Sequence, residues 1–217
     1  MTIVFSDNFT ETVDRNIDAY PSGAADYAYN LNSGNAMFVS QANDRVDYTE
    51  PTSDVAARII DAAGAISGDQ EIIGTIVADN GSGSSVHTRC ATSGNLGNWY
   101  SLFVDSTVVN ESQLYRFDNG AFNLLADADV FNGDGSRTGR LRATGAGATV
   151  TLTWQINATA TQTFNDTNAN RKTTGVPGIG GYSLAGAVIW LDTITVDDLA
   201  SAFVGDEDGL WYISRER

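Results

Sequence analysis

The sequence predicts an all-β domain built as a two-sheet antiparallel sandwich, and three observations predict it. Thr149, Thr151 and Thr153 alternate with Val150, Leu152 and Trp154, the period of a strand with one wet and one dry face. Turn signals rich in Gly, Asn and Asp recur at a spacing of roughly eight to twelve residues, as in sandwiches and barrels. The 217 residues include 22 Gly and only 3 Pro, with one lysine (Lys172) and 6 glutamates. The residues that long helices draw on are therefore scarce.

Each element can be justified in order. Ile3, Val4, Phe5 and Phe9 around Asp7-Asn8 read as an opening strand with a turn. Residues 14–35 read as loops with a short strand or two. Met37–Val39 and Val46–Tyr48 are short strands about an Asn43-Asp44 turn. Residues 53–63 fit either a short helix capped by Ser53 or a strand. Glu71–Ala78 is a strand ended by Asn80-Gly81-Ser82-Gly83, and Val86–Ala91 is one ended by Ser93-Gly94-Asn95. Trp99–Asp105 and Gln113–Asp118 follow, then a hairpin signal at Asn119-Gly120 and a return over Ala121–Ala126. Gly139–Thr144, the alternating strand, Thr159–Phe164 and Ser183–Val196 complete the domain. No internal repeat or linker interrupts it, so residues 1–199 are drawn as one domain.

Residues 200–217 differ. Gly205-Asp206-Glu207-Asp208-Gly209 breaks the pattern, and Leu210-Trp211-Tyr212-Ile213 is apolar. The segment reads as a tail or arm whose Trp211 folds back or docks on a neighbouring chain.

Charge narrows the partners. Twelve basic and 27 acidic residues give a net charge of −15, and 21 of the acids are Asp. Without a basic patch, binding to nucleic acid or to an anionic membrane is disfavoured. Asp-rich loops suit solvent, caps or a divalent cation. Cys90 and His87 are the only residues of their kinds. That excludes an internal disulfide and Cys- or His-rich metal clusters, and argues against a Ser-His-Asp triad. No stretch approaches the roughly 18 apolar residues of a membrane span. The opening Met1–Asp7 lacks the pattern of a secretory leader.

From Trp99 onward the sequence resembles the concanavalin A-like lectin/glucanase superfamily, particularly its laminin-G-like domains. The resemblance rests on Trp99-Tyr100-Ser101-Leu102-Phe103-Val104 followed by the hairpin Leu114-Tyr115-Arg116-Phe117-Asp118-Asn119-Gly120. Leu141-Arg142, Val150-Thr151-Leu152, a Gly-x-Pro-Gly-Ile turn at 174–180 and the closing Ile189–Val196 continue it. Phe5-Ser6-Asp7-Asn8-Phe9 fits the first strand, so residues 3–199 are covered. The resemblance implies a jelly-roll of two curved sheets.

Function is not fixed by that fold. The glucanases of the superfamily carry a Glu-x-Asp-x-x-Glu strand, which this sequence lacks, so no catalysis is expected. Sugar binding calls for an aromatic platform with polar partners, and Trp99, Tyr115 and Arg116 are the candidates. The resemblance also implies a structural calcium ion held by Asp192 of the closing strand, with Asp7 beside it. The leading expectation is a structural or binding role on a virion surface, assembled in a host cytoplasm, with 200–217 contacting other virion proteins. A free, extracellular carbohydrate-binding module is the alternative, and a glycoside hydrolase or lyase the third reading.

Overall fold

The computed structural model describes residues 3–20, 25–31, 37–48, 53–61, 68–79, 82–92, 96–105, 111–129, 134–183 and 189–199. The C-terminal segment 200–217, with the docking role expected for it, lies outside the described residues. Among the described residues are sixteen strands. The first eight are β1 (Ile3–Asp7), β2 (Arg15–Asn16), β3 (Ala25–Leu31), β4 (Met37–Ser40), β5 (Arg45–Tyr48), β6 (Ser53–Asp61), β7 (Gln70–Asp79) and β8 (Ser82–Cys90). The remainder are β9 (Trp99–Asp105), β10 (Glu111–Asp118), β11 (Ala121–Asp129), β12 (Gly135–Thr144), β13 (Val150–Ile156), β14 (Gln162–Asp166), β15 (Val176–Ser183) and β16 (Trp190–Asp198). One 3-10 turn, Ile17–Ala19, is the only helical element among the described residues. The segment over 53–61 that fitted helix or strand is strand β6.

Every pairing is antiparallel, and the strands form two layers. One layer runs β11-β10-β9-β8-β15-β6-β3. The other runs β14-β13-β12-β7-β16, then β5, β4 and β2, with β1 also on β16. The β7–β8 hairpin, pairing Ala78 with Gly83, joins the layers into one continuous sheet folded on itself. The first and last described strands pair, Ile3 opposite Asp197, so the two ends of the described domain meet.

Alternation explains which faces meet. Val150, Leu152, Trp154 and Ile156 of β13 are buried while Thr151, Thr153 and Gln155 are not. Ile72 and Ile76 of β7, Val86 of β8, Tyr100, Leu102 and Val104 of β9, Leu114 of β10 and Leu141 of β12 share the same core. Glycine leaves room for a neighbouring side chain within one layer: a Cβ on Gly139 of β12 would lie 2.5 Å from Ile76 Cδ1 of β7. The Asn119-Gly120 turn has φ values of 56° and 83°, the left-handed pair that a tight hairpin needs.

Five register shifts break the two-residue period among the described residues, and three of them redirect buried side chains. Thr193, at φ 44°, is the extra residue that lets Leu191 and Ile194 both face inward. The register slips at Leu114/Tyr115 against β11, putting Leu124 opposite Tyr115 and sending Leu125 to the core. In β8, Arg89 sits at φ 55°, opposite Pro177 in the slip between Val176 and Gly178. Proline is tolerated there because a bulge frees it from donating to the ladder. The Gly-x-Pro-Gly-Ile segment is therefore a strand from Val176 onward rather than a turn.

A buried charge network ties the layers at one edge. Asp166, 2% exposed, ends β14. It accepts from Tyr100 Oη at 2.7 Å, from Arg116 Nη1 at 3.0 Å on both oxygens, and from Asn168 N at 3.0 Å. Removing one partner of such a group leaves an uncompensated buried charge. Asp166→Ala is expected to lower unfolding free energy by about 3–5 kcal/mol in urea titration. A loss below about 1 kcal/mol would show that the network is not holding the layers together.

Candidate functional site

The three proposed ligand residues land in different places. Trp99 is 1% exposed and stacks between His87 (centroids 5.6 Å) and Phe117 (4.2 Å). Arg116 faces the other layer, where it pairs with Asp166 and, through Nε at 3.0 Å, with Asp118. Neither presents a free surface to a ligand. Tyr115 is half-buried on the outer face, edge-on to Phe117 and Phe122, and its hydroxyl donates to Gln113 Oε1 at 2.9 Å. Tyr115 and Arg116 do point to opposite faces, as alternation requires.

The structure adds neighbours that sequence alone did not single out. Phe122 and Leu124, about half exposed on edge strand β11, lie opposite Phe117 and Tyr115. An aromatic row thus crosses four strands on the outer face, from His87 through Trp99 and Phe117 to Phe122.

Beside the buried end of this row opens a cavity of about 550 Å³. That size falls within the rough 300–1,000 Å³ range of ligand pockets. Val176 lines it and also packs against Cys90, Trp99 and Phe117. Its other walls are Thr92 and Asn98 on one side and residues 170–175 on the other, with Arg89 among the lining residues. The β14–β15 loop is pinned in place. Lys172 N donates to Tyr100 Oη at 2.9 Å, and Lys172 Nζ donates to Asn98 at 2.8 Å and Asp118 at 2.6 Å. Gly175, at φ 135°, is where this loop meets β8, and a Cβ there would sit 2.5 Å from the Arg89 backbone. No acidic side chain lines the cavity among the described residues.

Catalytic arrangements can be tested against the same coordinates. Ser85 Oγ and His87 Nε2 are 2.7 Å apart, the spacing of a nucleophile and its base. His87 Nδ1, however, is buried without a partner, so no acid orients the ring, and both residues are only 2% exposed. Burial pushes the His87 pKa down from 6.5 to about 3. Trp99 Nε1 is a second buried donor without a partner. The register also brings Asp105, Glu111 and Asp129 opposite one another across β9, β10 and β11.

Asp7, expected beside a calcium ion, is engaged by three hydrogen-bond donors. Asp7 Oδ1 accepts from Phe9 N at 2.8 Å and Tyr20 Oη at 3.1 Å, while Oδ2 accepts from Tyr27 Oη at 2.9 Å. Burial, and then Asp7, push the Tyr27 phenol well above its ordinary pKa. Asp192 Oδ1 accepts from the Thr193 hydroxyl at 3.1 Å. Calcium needs about six to eight oxygens, and no three His, Cys, Asp or Glu converge among the described residues. The geometry gives Asp7 a hydrogen-bonding role in the core instead.

The sequence matches no family model and no curated protein. Solved structures do match. The carbohydrate-binding module CBM66 from Bacillus subtilis superposes with a TM-score of 0.59 at 14% identity, covering 79% of this chain and 94% of that one. The Ca2+/Man3GlcNAc-bound exoplasmic/lumenal domain of VIP36 gives 0.52 at 14% identity, covering 95% and 97%. The β-glucanase of Bacillus licheniformis gives 0.51 at 11% identity, covering 84% and 96%. The fold is that of the concanavalin A-like lectins and glucanases. At these identities the likeness establishes architecture alone, and that architecture serves binding proteins and hydrolases alike. No helix among the described residues is long and apolar enough to cross a membrane.

Two measurements check the site's chemistry. The unfolded imidazole takes its proton below 6.5, the folded one only near 3. Between those values the unfolded state binds the extra proton, so this contribution to stability is lost as pH falls through that window. The single histidine should therefore show no NMR titration from neutral pH to about pH 4. A titration near the ordinary value would place the ring in solvent. Asp7→Ala should lower stability by about 2–4 kcal/mol, equally in calcium and in chelator. Asp192→Ala should leave the melt nearly unchanged, and a calcium-dependent rise abolished by that variant would restore the metal site.

Proposed function

We propose that the chain is a non-catalytic carbohydrate-binding domain whose ligand enters the cavity between β8, β9 and the β14–β15 loop. The observation that carries this reading is the cavity's composition. Asn170, Thr92, Thr173 and Thr174 offer amide and hydroxyl groups that both donate and accept, as sugar hydroxyls require. The adjoining aromatic row ends in the half-exposed Phe122, a surface on which a sugar's C–H face can stack. Sugar-binding and sugar-cleaving proteins share the fold, which makes the reading economical.

Absence of catalysis is part of the proposal. The Ser85–His87 pair lacks an orienting acid and is closed to solvent. The cavity is lined by no carboxylate among the described residues, whereas glycoside hydrolysis needs two. The virion role expected from the sequence rested on its composition and on segment 200–217, which lies outside the described residues.

The test is a glycan panel read by calorimetry. Asn170 exposes its side chain at the cavity, and Phe122 lies at the end of the row. Asn170→Ala and Phe122→Ala should each weaken the bound glycan about three- to tenfold, with melting unchanged. Binding that survives both substitutions would move the site elsewhere. Release of reducing ends, abolished by Glu111→Gln, would make the chain an enzyme and point to the cross-strand acidic row.

A further inference from the structure

The cavity's charge is opposite to that of the chain. Three of the 12 basic residues of a chain at −15 line it, namely Arg89, Arg171 and Lys172, and no acid does so among the described residues. Their partners decide what charge is left over. Lys172 is neutralised by Asp118 at 2.6 Å. The Arg89 side chain is fully buried beneath the loop, with Nε donating to Gly68 O and Nη1 to Lys172 O. Its carboxylate partner is Asp69, at 3.3 Å and 40% exposed, and that same oxygen also accepts from Gly145 N at 2.8 Å. Burial lowers the Arg89 pKa, with Asp69 opposing it.

Arg171 is different. Its Nε donates to Gly147 O at 2.7 Å and its Nη1 to Asn168 O at 3.0 Å. Both partners are neutral carbonyls, and no carboxylate pairs with it among the described residues. The guanidinium is held by two backbone contacts with Nη2 left over, so its orientation is fixed before any ligand arrives. The wider network, including Arg116, has four cations against Asp69, Asp118 and Asp166. The excess charge belongs to Arg171.

We propose that the glycan bound here is acidic, a uronate-bearing oligosaccharide whose carboxylate is taken by Arg171 with the Lys172 ammonium beside it. The inference rests on the sugar-binding reading and deepens it. A guanidinium fork matches a carboxylate, and charge-assisted bonds of this kind are about twice as strong as neutral ones. The amide and hydroxyl groups of Asn170 and Thr174 then read the neutral remainder of the sugar.

The test uses the full chain and three probes: oligogalacturonate, oligoalginate and a glucuronate-containing oligosaccharide. Each is paired with its carboxyl-reduced form, which keeps the ring and loses the charge. At least one acidic probe should bind, with its reduced partner about tenfold weaker or more. Arg171→Gln should bring the acid down to the affinity of the reduced form, and Arg171→Lys should restore part of the gap. A substitution that merely loosened the loop would weaken both members of a pair alike, and that result overturns the proposal. Equal binding of acid and reduced forms, or binding of neutral glycans only, also overturns it while the sugar-binding reading stands. Inorganic sulfate that displaces the acidic probe at matched concentration would show a simple anion site and overturn the uronate assignment. No binding of any glycan, acidic or neutral, overturns both readings.

Discussion

The arrangement depends on one buried carboxylate. Asp166 sits where β14 gives way to the loop that walls the cavity, and it receives hydrogen bonds from β9, from β10 and from its own loop. Taking that charge out of water is costly, and only several good partners compensate it. The side-chain partners come from the facing layer, so the compensation is geometric as well as electrostatic. Tyr100 donates to Asp166 and accepts from Lys172 N, which carries the constraint from the core to the cavity wall. Burial and Asp166 raise the Tyr100 pKa, so the phenol keeps the proton that this relay needs. Lys172 is then set between Asn98 and Asp118. A network of this kind is rigid only when every member is satisfied, and here the satisfaction of the core and the shape of the cavity are one condition.

Bulges do the complementary work. A strand of strict period two cannot send a side chain out of its layer, and an inserted residue can. At Arg89 the insertion turns a long cation under the loop, where it donates to the Gly68 and Lys172 carbonyls. Gly175 permits the close approach that this needs, since any Cβ there would collide with the Arg89 backbone. At Thr193 the insertion restores the inward face of β16 after Asp192. At Leu114/Tyr115 it sends Leu125 inward while Phe122 and Leu124 remain on the outer face.

Much of the fold is legible in the sequence, and the reasons are local. The alternation in β13, the Asn119-Gly120 hairpin and the Gly- and Asn-rich turns each follow from short-range sterics and burial. The ambiguous 53–61 segment became a strand through pairing with β3 and β15, contacts that no local pattern encodes. The candidate site was less legible. Residue type singled out Trp99 and Arg116, but only register shows where their chemistry goes. Trp99 lies opposite Phe117 and Arg116 faces Asp166 across the layers, so both are spent inside the molecule. Asp7 likewise meets two tyrosines 13 and 20 residues away. One signal for the cavity was present: Arg171-Lys172, flanked by Asn and Thr, is a doublet of cations in a chain with very few. Its meaning required the loop to be folded back onto β8 and β9.

The charge asymmetry makes physical sense of that doublet. A chain at −15 repels an acidic ligand at long range. At physiological ionic strength the Debye length is about 8 Å, so exposed acids farther away than that are largely screened from the cavity. What an approaching carboxylate meets there is the local balance, in which Asp118 is occupied by Arg116 and Lys172, and Asp166 by Arg116 and Tyr100. Arg171 retains its charge against carbonyl dipoles alone. Net acidity and local attraction therefore act on different length scales. The first sets how readily acidic material gathers near the protein, and the second sets what is held once it enters the cavity.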